Sequence, residues 1–305
     1  MDGSMRERFA AITTQWLEAD PRAAVVLAEI SAALFEPAAK RYPGRVLNVG
    51  IREQLMIGIV AGLALEGMRP VAHSYAPFVV ERPFESLKTD LAHQGLGAIL
   101  VSVGASYDEP GYGRTHACPE DVALLDALTG WTVHLPGHPD EVDPLLWSAL
   151  RGDGRVYLRL SEQTNATPRE VVPDRMTVLR RGGAGTVIAV GPMLDRTLEA
   201  VGGMDVTVLY ATTLRPFDGA TLRATLSSPA VVLVEPLLAG TSSRFVSDAL
   251  VHLPHRVRGL GISEVDLHEY DTPADHDRRH GLDPAGLHTA ISDFLQERPS
   301  PSLVE

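Results

Sequence analysis

The sequence has a single cysteine, Cys118, among its 305 residues. One thiol cannot form a disulfide within the chain, and this favours a reducing compartment such as the cytoplasm. Long apolar runs are also missing. The first residues do not have the apolar segment of a signal peptide, and no later stretch is long enough to cross a bilayer. We therefore expect a soluble, cytoplasmic protein with no part in the membrane.

Lysine is nearly absent, since Lys40 and Lys88 are the only two and the other basic residues are arginines. Acidic residues outnumber basic ones by 39 to 27, which gives a net charge of −12 and a pI near 5.4. Nucleic-acid binding needs clustered positive charge to meet the phosphates. The charge balance therefore argues against DNA or RNA as a partner and leaves small molecules as the expected ligands.

The sequence does have enough apolar residues, 45% of the total, to build two cores in a chain of this length. Short β-branched runs alternate with helical patterns, which is typical of parallel sheets with helices on both faces. A polar stretch with a proline, residues 163–174, interrupts this alternation. We predict an α/β protein of two domains, residues 1–170 and 171–305, each built on a mainly parallel sheet.

The predicted strands are residues 24–30, 70–73, 98–103, 132–135, 156–160, 186–190, 206–210 and 230–234. The predicted helices are residues 52–66, 78–93, 119–128, 141–150, 194–201 and 242–253. The helix at 52–66 is apolar around most of its circumference, and a helix of this kind must be buried on all sides. In so small a domain, that pattern predicts burial against another subunit.

The first segment with candidate chemistry is residues 48–54, Asn-Val-Gly-Ile-Arg-Glu-Gln, which places Glu53 in the first turn of this apolar helix. A glutamate near a helix amino terminus is favourable to the helix dipole and needs no chemical role. A carboxylate on a buried helix nevertheless requires a partner, because an unpaired buried charge is very costly. A ring nitrogen of a bound ligand could be that partner.

Two further segments follow predicted strands, at the sheet edge where α/β proteins bind ligands. Residues 73–78, His-Ser-Tyr-Ala-Pro-Phe, place Tyr75 and Phe78 where their rings could stack on a flat heterocycle. Residues 111–116, Gly-Tyr-Gly-Arg-Thr-His, form a glycine-rich loop that ends at His116, just before a helix. A loop histidine is more often a surface residue. A histidine between a glycine loop and the start of a helix, after a strand, is nevertheless well placed for a ligand-binding site.

Together these three segments resemble the pyrimidine-binding domain of the transketolase family. That family has a Gly-Ile-x-Glu-Gln turn, an aromatic strand end, and a Thr-His pair followed by Glu-Asp, which here is Glu120-Asp121. The resemblance continues at residues 132–140, 186–191, 214–218 and 232–235, so it covers essentially the whole chain. It implies thiamine diphosphate as the cofactor and transfer of a two-carbon ketol unit as the reaction.

The resemblance also implies roles for the matching residues. Glu53 would bond the aminopyrimidine nitrogen and favour the tautomer that removes the thiazolium proton, a relay that depends on a tuned pKa. Phe78 would stack on the pyrimidine, with Tyr75 and Ile51 beside the cofactor. His116 would contact a hydroxyl of the donor's two-carbon unit.

In the resemblance, Arg159 matches a family arginine that binds substrate phosphate, and Arg6 matches a second one. Three other family positions differ. The aspartate that recognises the acceptor hydroxyl is replaced by Tyr112, the phosphate-binding histidine by Gly104, and the phosphate-binding serine falls near Ala33. We therefore expect Tyr112 on the acceptor side of the pocket, and an acceptor that is larger than a sugar phosphate or lacks the phosphate.

Thiamine enzymes hold the diphosphate through Mg²⁺, bound by a Gly-Asp-Gly turn and a later asparagine, because Mg²⁺ prefers oxygen ligands. Gly152-Asp153-Gly154 precedes a strand instead of following one, and Asn48 and Asn165 are the only asparagines. We read the triplet as a surface turn, and the histidine- and aspartate-rich residues 268–280 as solvated surface, and predict no metal site in this chain. The diphosphate and Mg²⁺ would then be held by a separate subunit, most plausibly in an α₂β₂ heterotetramer.

The sequence thus predicts the carboxyl-terminal subunit of a split transketolase. One alternative is the β subunit of a 2-oxoacid dehydrogenase, which shares this two-domain build and also lacks the diphosphate domain. A lipoyl-domain protein as partner would favour that reading. A second alternative is a catalytically silent structural or regulatory subunit, against which the joint presence of Glu53, Phe78 and His116 argues.

Overall fold

A computed structural model describes residues 3–263 and 270–297. They form two mainly parallel sheets flanked by helices, as the sequence predicts. The strands are β1 (Ala23–Leu27), β2 (Val46–Asn48), β3 (Arg69–Tyr75), β4 (Ile99–Val103), β5 (Trp131–His134), β6 (Arg155–Arg159), β7 (Thr177–Arg180), β8 (Thr186–Val190), β9 (Thr207–Ala211), β10 (Thr213–Arg215), β11 (Ala230–Leu238) and β12 (Arg256–Ile262).

The α-helices are α1 (Met5–Ala19), α2 (Ala32–Arg41), α3 (Glu53–Leu65), α4 (Phe84–Ser86), α5 (Asp121–Leu125), α6 (Val142–Arg151), α7 (Leu194–Ala200), α8 (Gly219–Thr225), α9 (Ser243–Ala249), α10 (Pro273–Arg279) and α11 (Pro284–Gln296). Short 3₁₀ turns occur at Pro110–Thr115, Pro139–Glu141 and Gly191–Met193. Within residues 3–263 and 270–297, no helix has the length and apolar character needed to span a membrane.

The segment predicted as one helix, residues 78–93, is not a regular α-helix. Two π-helical turns, Pro77–Glu81 and Leu87–Ala92, flank the short α4. A π turn has a wider repeat than an α-helix, and such turns are frequent at functional sites. The wider turn sets the relative positions of Phe78 and Arg82, which both belong to the candidate site.

The first sheet has seven strands in the order β10-β5-β6-β4-β3-β1-β2, all parallel except β10. Every residue of β1 and β4 is buried, as expected for central parallel strands covered on both faces. The carboxyl ends of β1, β3, β4 and β6 lie at one edge of this sheet. That edge is where an open α/β sheet binds its ligand.

The second sheet has the order β12-β11-β8-β9-β7, with β7 antiparallel to β9. The predicted boundary near residue 170 falls in the irregular segment between β6 and β7. The strand β10 crosses that boundary in space, because it follows the second domain's β9 in the chain and pairs with β5 of the first sheet. The two halves are therefore joined through backbone hydrogen bonds as well as side chains.

Helix α3 has one face inside the protein and one outside. Its buried residues are Glu53, Met56, Ile57, Val60 and Ala61. On the other side Leu55 and Leu65 are exposed, and Gly58 and Gly62 have open space beyond their Cα atoms. The chain itself therefore buries only half of a helix that the sequence predicts to be buried all round, and the outer face is left apolar.

Candidate active site

Glu53 is the first residue of α3 and is only 1% exposed. It follows a turn at Gly50, whose φ of 70° lies in the region that favours glycine. Its carboxylate is paired with a residue that the sequence does not single out: Nη1 of Arg82 lies 2.8 Å from both Oε1 and Oε2. Arg82 is 39% exposed, so the pair joins a buried anion to a cation at the surface.

The guanidinium of Arg82 also stacks on the predicted cofactor-binding ring. Its central carbon lies 4.0 Å from the centroid of the Phe78 ring, the geometry of a cation–π contact. The Arg82 backbone is held in place because its carbonyl accepts a hydrogen bond of 3.1 Å from Nε2 of Gln54. A lone arginine four residues after Phe78 is too common a pattern for the sequence to single out Arg82.

His116 lies at the centre of a cluster of aromatic rings. Its ring centroid is 5.1 Å from that of Phe78, 5.4 Å from that of Tyr75 and 4.5 Å from that of Tyr112. Tyr75 and Phe78 are edge-to-face at 6.0 Å. The structure therefore brings four of the predicted site residues together, and Arg82 connects them to Glu53.

Hydrogen bonding fixes which nitrogen of His116 carries the proton. The hydroxyl of Thr115 donates to the carbonyl of Tyr112 at 2.9 Å, so its oxygen must accept from Nδ1–H of His116, 3.0 Å away. This leaves Nε2 as a hydrogen-bond acceptor. Partial burial lowers the pKa of His116, which favours the neutral ring. Such a histidine can receive a hydroxyl proton or accept a hydrogen bond from a sugar.

Gly104, the position matched to a phosphate-binding histidine in the sequence, has no room for a side chain. Gly104 has a φ of 64°, and a Cβ atom on it would lie 2.3 Å from Cδ1 of Tyr75. No side chain fits there while Tyr75 keeps its position. The Tyr75 ring therefore fills the space next to residue 104. A side chain at this position could not reach a substrate phosphate.

Arg6 lies on the same edge of the sheet, in an open pocket of about 560 Å³. Its Nε donates to Oγ of Ser31 at 2.7 Å, and Ser31 contacts Nε2 of the buried His73 at 2.7 Å. Three glutamates, Glu7, Glu29 and Glu162, line this pocket beside the single arginine. Sequence comparison pointed to Ala33 as the serine position; the hydroxyl in the pocket is that of Ser31.

Arg159 is buried and paired within the chain, so its expected contact with substrate phosphate stays a prediction. It is 2% exposed, and its Nε donates to Oδ2 of Asp121 at 2.6 Å. Its Nη2 donates to Oγ of Ser106 at 2.9 Å, while Tyr157 donates to the same Asp121 at 2.7 Å. The guanidinium therefore supports the loop before α5 from inside the protein.

One group of possible metal ligands occurs among the described residues, next to this site. Side-chain atoms of Glu81, Cys118 and Glu120 lie within 4.8 Å of one another. Burial, with the hydrogen bond to Glu120 adding to it, raises the pKa of Glu81 to about 7. Arg114 donates a hydrogen bond to Glu120. The prediction of no metal site in this chain stays a prediction.

The histidine- and aspartate-rich stretch differs from the solvated surface predicted for it. His268 lies outside the described residues. His276 is buried, and its ring and that of His280 stack on Tyr107 at centroid distances of 5.1 and 5.8 Å. The hydroxyl of Tyr107 donates to Asp277 at 2.5 Å. These rings pack the second domain against the loop that follows β4.

Ile51 is 71% exposed and lies outside the aromatic cluster, so its contact with a cofactor stays a prediction. Gly152-Asp153-Gly154 is confirmed as an exposed turn immediately before β6. It lies at the sheet edge opposite to the candidate site, because a parallel strand begins at one edge and ends at the other.

Residues 3–167 match the family of the transketolase pyrimidine-binding domain. The chain belongs to the transketolase family. An uncharacterised 33.6 kDa protein of the fasciation locus of Rhodococcoides fascians is 53% identical, over 94% of this chain and 93% of its own length. The 6-deoxy-6-sulfo-D-fructose transketolase subunit of a Clostridium species is 29% identical, over 87% of this chain and 88% of its own.

A solved split-gene transketolase, described as an inactive β4 tetramer, has the same fold as this member of the transketolase family. The TM-score is 0.83 at 25% identity, over 96% of this chain and 98% of that chain. The family predicted from the three sequence segments is therefore confirmed, as is the two-sheet α/β fold.

Replacing Arg159 with methionine tests whether this arginine supports the fold or binds substrate. The change leaves Asp121 buried without its cation, so we expect the free energy of unfolding to fall by about 3–5 kcal/mol. Urea denaturation of the purified chain measures it. Arg6→Met, at a partly exposed site, is the matched control and should change stability by less than about 1 kcal/mol. Unchanged stability in Arg159→Met would instead favour the phosphate role.

Proposed function

We propose that this chain is the pyrimidine-binding, carboxyl-terminal subunit of a split transketolase. It would use thiamine diphosphate to move a two-carbon ketol unit from a ketose donor to a carbonyl acceptor. The observation that carries the proposal is the buried carboxylate of Glu53 beside the face of Phe78. A protonated aminopyrimidine is a flat donor of hydrogen bonds, and the flat, cationic guanidinium of Arg82, which occupies this space, supports binding of such a group there.

Each residue of the site then has a definite task. The cofactor supplies a carbanion-stabilising ring system, and Glu53 holds a proton at its pyrimidine nitrogen. The Glu53 carboxylate is buried, and it can accept a hydrogen bond from a protonated ring nitrogen in place of the one from Arg82. Phe78 orients the ring by stacking, and Nε2 of His116 accepts a hydrogen bond from a substrate hydroxyl. Tyr75 and Tyr112 pack against the His116 ring and orient it.

A separate subunit is proposed to bind the diphosphate and Mg²⁺, within an α₂β₂ assembly in the cytoplasm. The single Gly-Asp-Gly triplet of this chain lies at the wrong sheet edge to meet a pyrimidine at Glu53. The apolar outer face of α3, with exposed Leu55 and Leu65, supports a partner beside the site. The related split transketolase whose β chains alone form an inactive tetramer is in keeping with this need.

The acceptor is proposed to lack a phosphate group. Tyr75 fills the space beside Gly104, Arg159 is engaged with Asp121, and Arg6 shares its pocket with three glutamates. A phosphate dianion would meet net negative charge there.

Glu53→Gln in the reconstituted complex tests the proton-sharing role. Glutamine keeps the size of the side chain but cannot ionise, so we expect kcat to fall by at least about a hundredfold, the scale of a lost acid–base group. Assembly with the partner, followed by size-exclusion chromatography, should be unchanged. The matched control is Arg52→Gln, one residue away and exposed. If Glu53→Gln keeps wild-type turnover, the chain is a silent subunit.

Steady-state assays with paired acceptors test the proposed acceptor class. Ribose 5-phosphate and an unphosphorylated aldehyde of similar size are compared at equal donor concentration. We expect the larger kcat/KM for the unphosphorylated acceptor, because the pocket repels phosphate. A clear preference for ribose 5-phosphate would contradict this part of the proposal and leave the ketol transfer itself standing.

A further inference from the structure

We propose that Arg82 is a latch that fills the pyrimidine position of the cofactor-free chain, and that thiamine diphosphate binds by displacing it. This inference rests on the proposed function. It adds a competition between a side chain and the cofactor for one carboxylate and one ring face. The residue involved belongs neither to the sequence motifs nor to the aromatic cluster around His116.

The contacts of Arg82 are those required of the pyrimidine. One nitrogen, Nη1, lies 2.8 Å from each carboxylate oxygen of Glu53, and the guanidinium plane covers Phe78 at 4.0 Å. A ring cannot stack on that face of Phe78 and bond Glu53 while the guanidinium is there. Among the described residues, Arg82 is the only side chain that hydrogen-bonds the Glu53 carboxylate. The two occupants therefore exclude each other.

The difference in burial explains why the latch is needed and why it can open. Glu53 is 1% exposed, and a buried carboxylate without a partner is strongly unfavourable. Arg82 keeps it paired until a ring nitrogen takes over. Because Arg82 is 39% exposed, its guanidinium can move into solvent without crossing packed residues. The hydrogen bond from Gln54 to the Arg82 carbonyl holds the backbone, so the motion belongs to the side chain.

The latch opens when the Arg82 side chain moves away from Glu53 and Phe78. The cofactor has to replace a complete ion pair. The measured affinity is then the intrinsic affinity multiplied by the small fraction of chains in which the site is open. Removing the guanidinium should raise that fraction and tighten cofactor binding.

The first experiment titrates thiamine diphosphate, at saturating Mg²⁺, into the reconstituted complex of full-length chains and follows near-ultraviolet circular dichroism. We expect Arg82→Gln to lower the apparent Kd by about fivefold or more, because the closed fraction is removed. Arg82→Lys keeps the charge but cannot pair with Glu53 and stack on Phe78 in the same way. Its apparent Kd should therefore lie between those of the wild type and Arg82→Gln. An unchanged or weaker affinity in Arg82→Gln overturns the proposal.

Arg52→Gln is the matched control. Arg52 is an exposed arginine that directly precedes Glu53, and its removal changes the charge near the anionic cofactor by the same amount. We expect its apparent Kd to stay within about twofold of the wild type, since a single exposed charge is largely screened by solvent. A gain equal to that of Arg82→Gln would mean that net charge, and not displacement, sets the affinity, and would refute the latch.

The second experiment separates failure of the latch from failure of the proposed function, because it needs no cofactor. The melting temperatures of the full-length chain are compared for wild type, Arg82→Gln, Glu53→Gln and the double variant. We expect Arg82→Gln to lower Tm when Glu53 is present and to have a much smaller effect in the Glu53→Gln background. Additive effects would refute the latch. If the Tm effects of the two substitutions are coupled but the complex binds no thiamine diphosphate, the Glu53–Arg82 pair stands and the proposed function is refuted.

Discussion

The buried carboxylate of Glu53 is the constraint on which the rest of the site depends. At the first turn of α3 it benefits from the helix dipole, but the dipole alone does not compensate for removing a charge from water. The chain therefore has to provide a partner, and it provides Arg82. Phe78 lies in the π turn at Pro77–Glu81 that directly precedes Arg82, so one segment places the guanidinium both on the Phe78 ring and against the carboxylate.

The second domain contributes to the site by holding the loop that carries His116. On one side of this loop Ser106 donates to the carbonyl of Pro236, and on the other the backbone nitrogen of Leu238 donates to the carbonyl of Pro119 at 3.0 Å. Both contacts come from β11. Arg159 supports the same loop from within the first domain. The histidine thus sits on a segment braced from two directions, which suits a group that must keep one orientation.

Much of this arrangement could be predicted from the sequence, and the contacts that could not be predicted have physical reasons. The alternation of strands and helices and the order of three short segments gave the α/β fold, the sheet edge and the residues Glu53, Phe78 and His116. The sequence does not single out Arg82, because a lone arginine on an exposed turn has no distinctive pattern. The pairing of Arg159 with Asp121 could not be predicted, because a matched position carries no information on burial and the two residues are distant in sequence.

The central claim is that this chain and a separate subunit share one cofactor site. Its most direct test is equilibrium binding of thiamine diphosphate with Mg²⁺ to this chain alone, to its partner subunit alone, and to the equimolar mixture. Isothermal titration calorimetry measures all three. The account predicts saturable binding in the mixture and none in this chain alone, since a complete site needs the pyrimidine contacts of Glu53 and Phe78 together with a diphosphate site that this chain does not supply. Saturable binding by this chain alone, with the same affinity as the mixture, would contradict it.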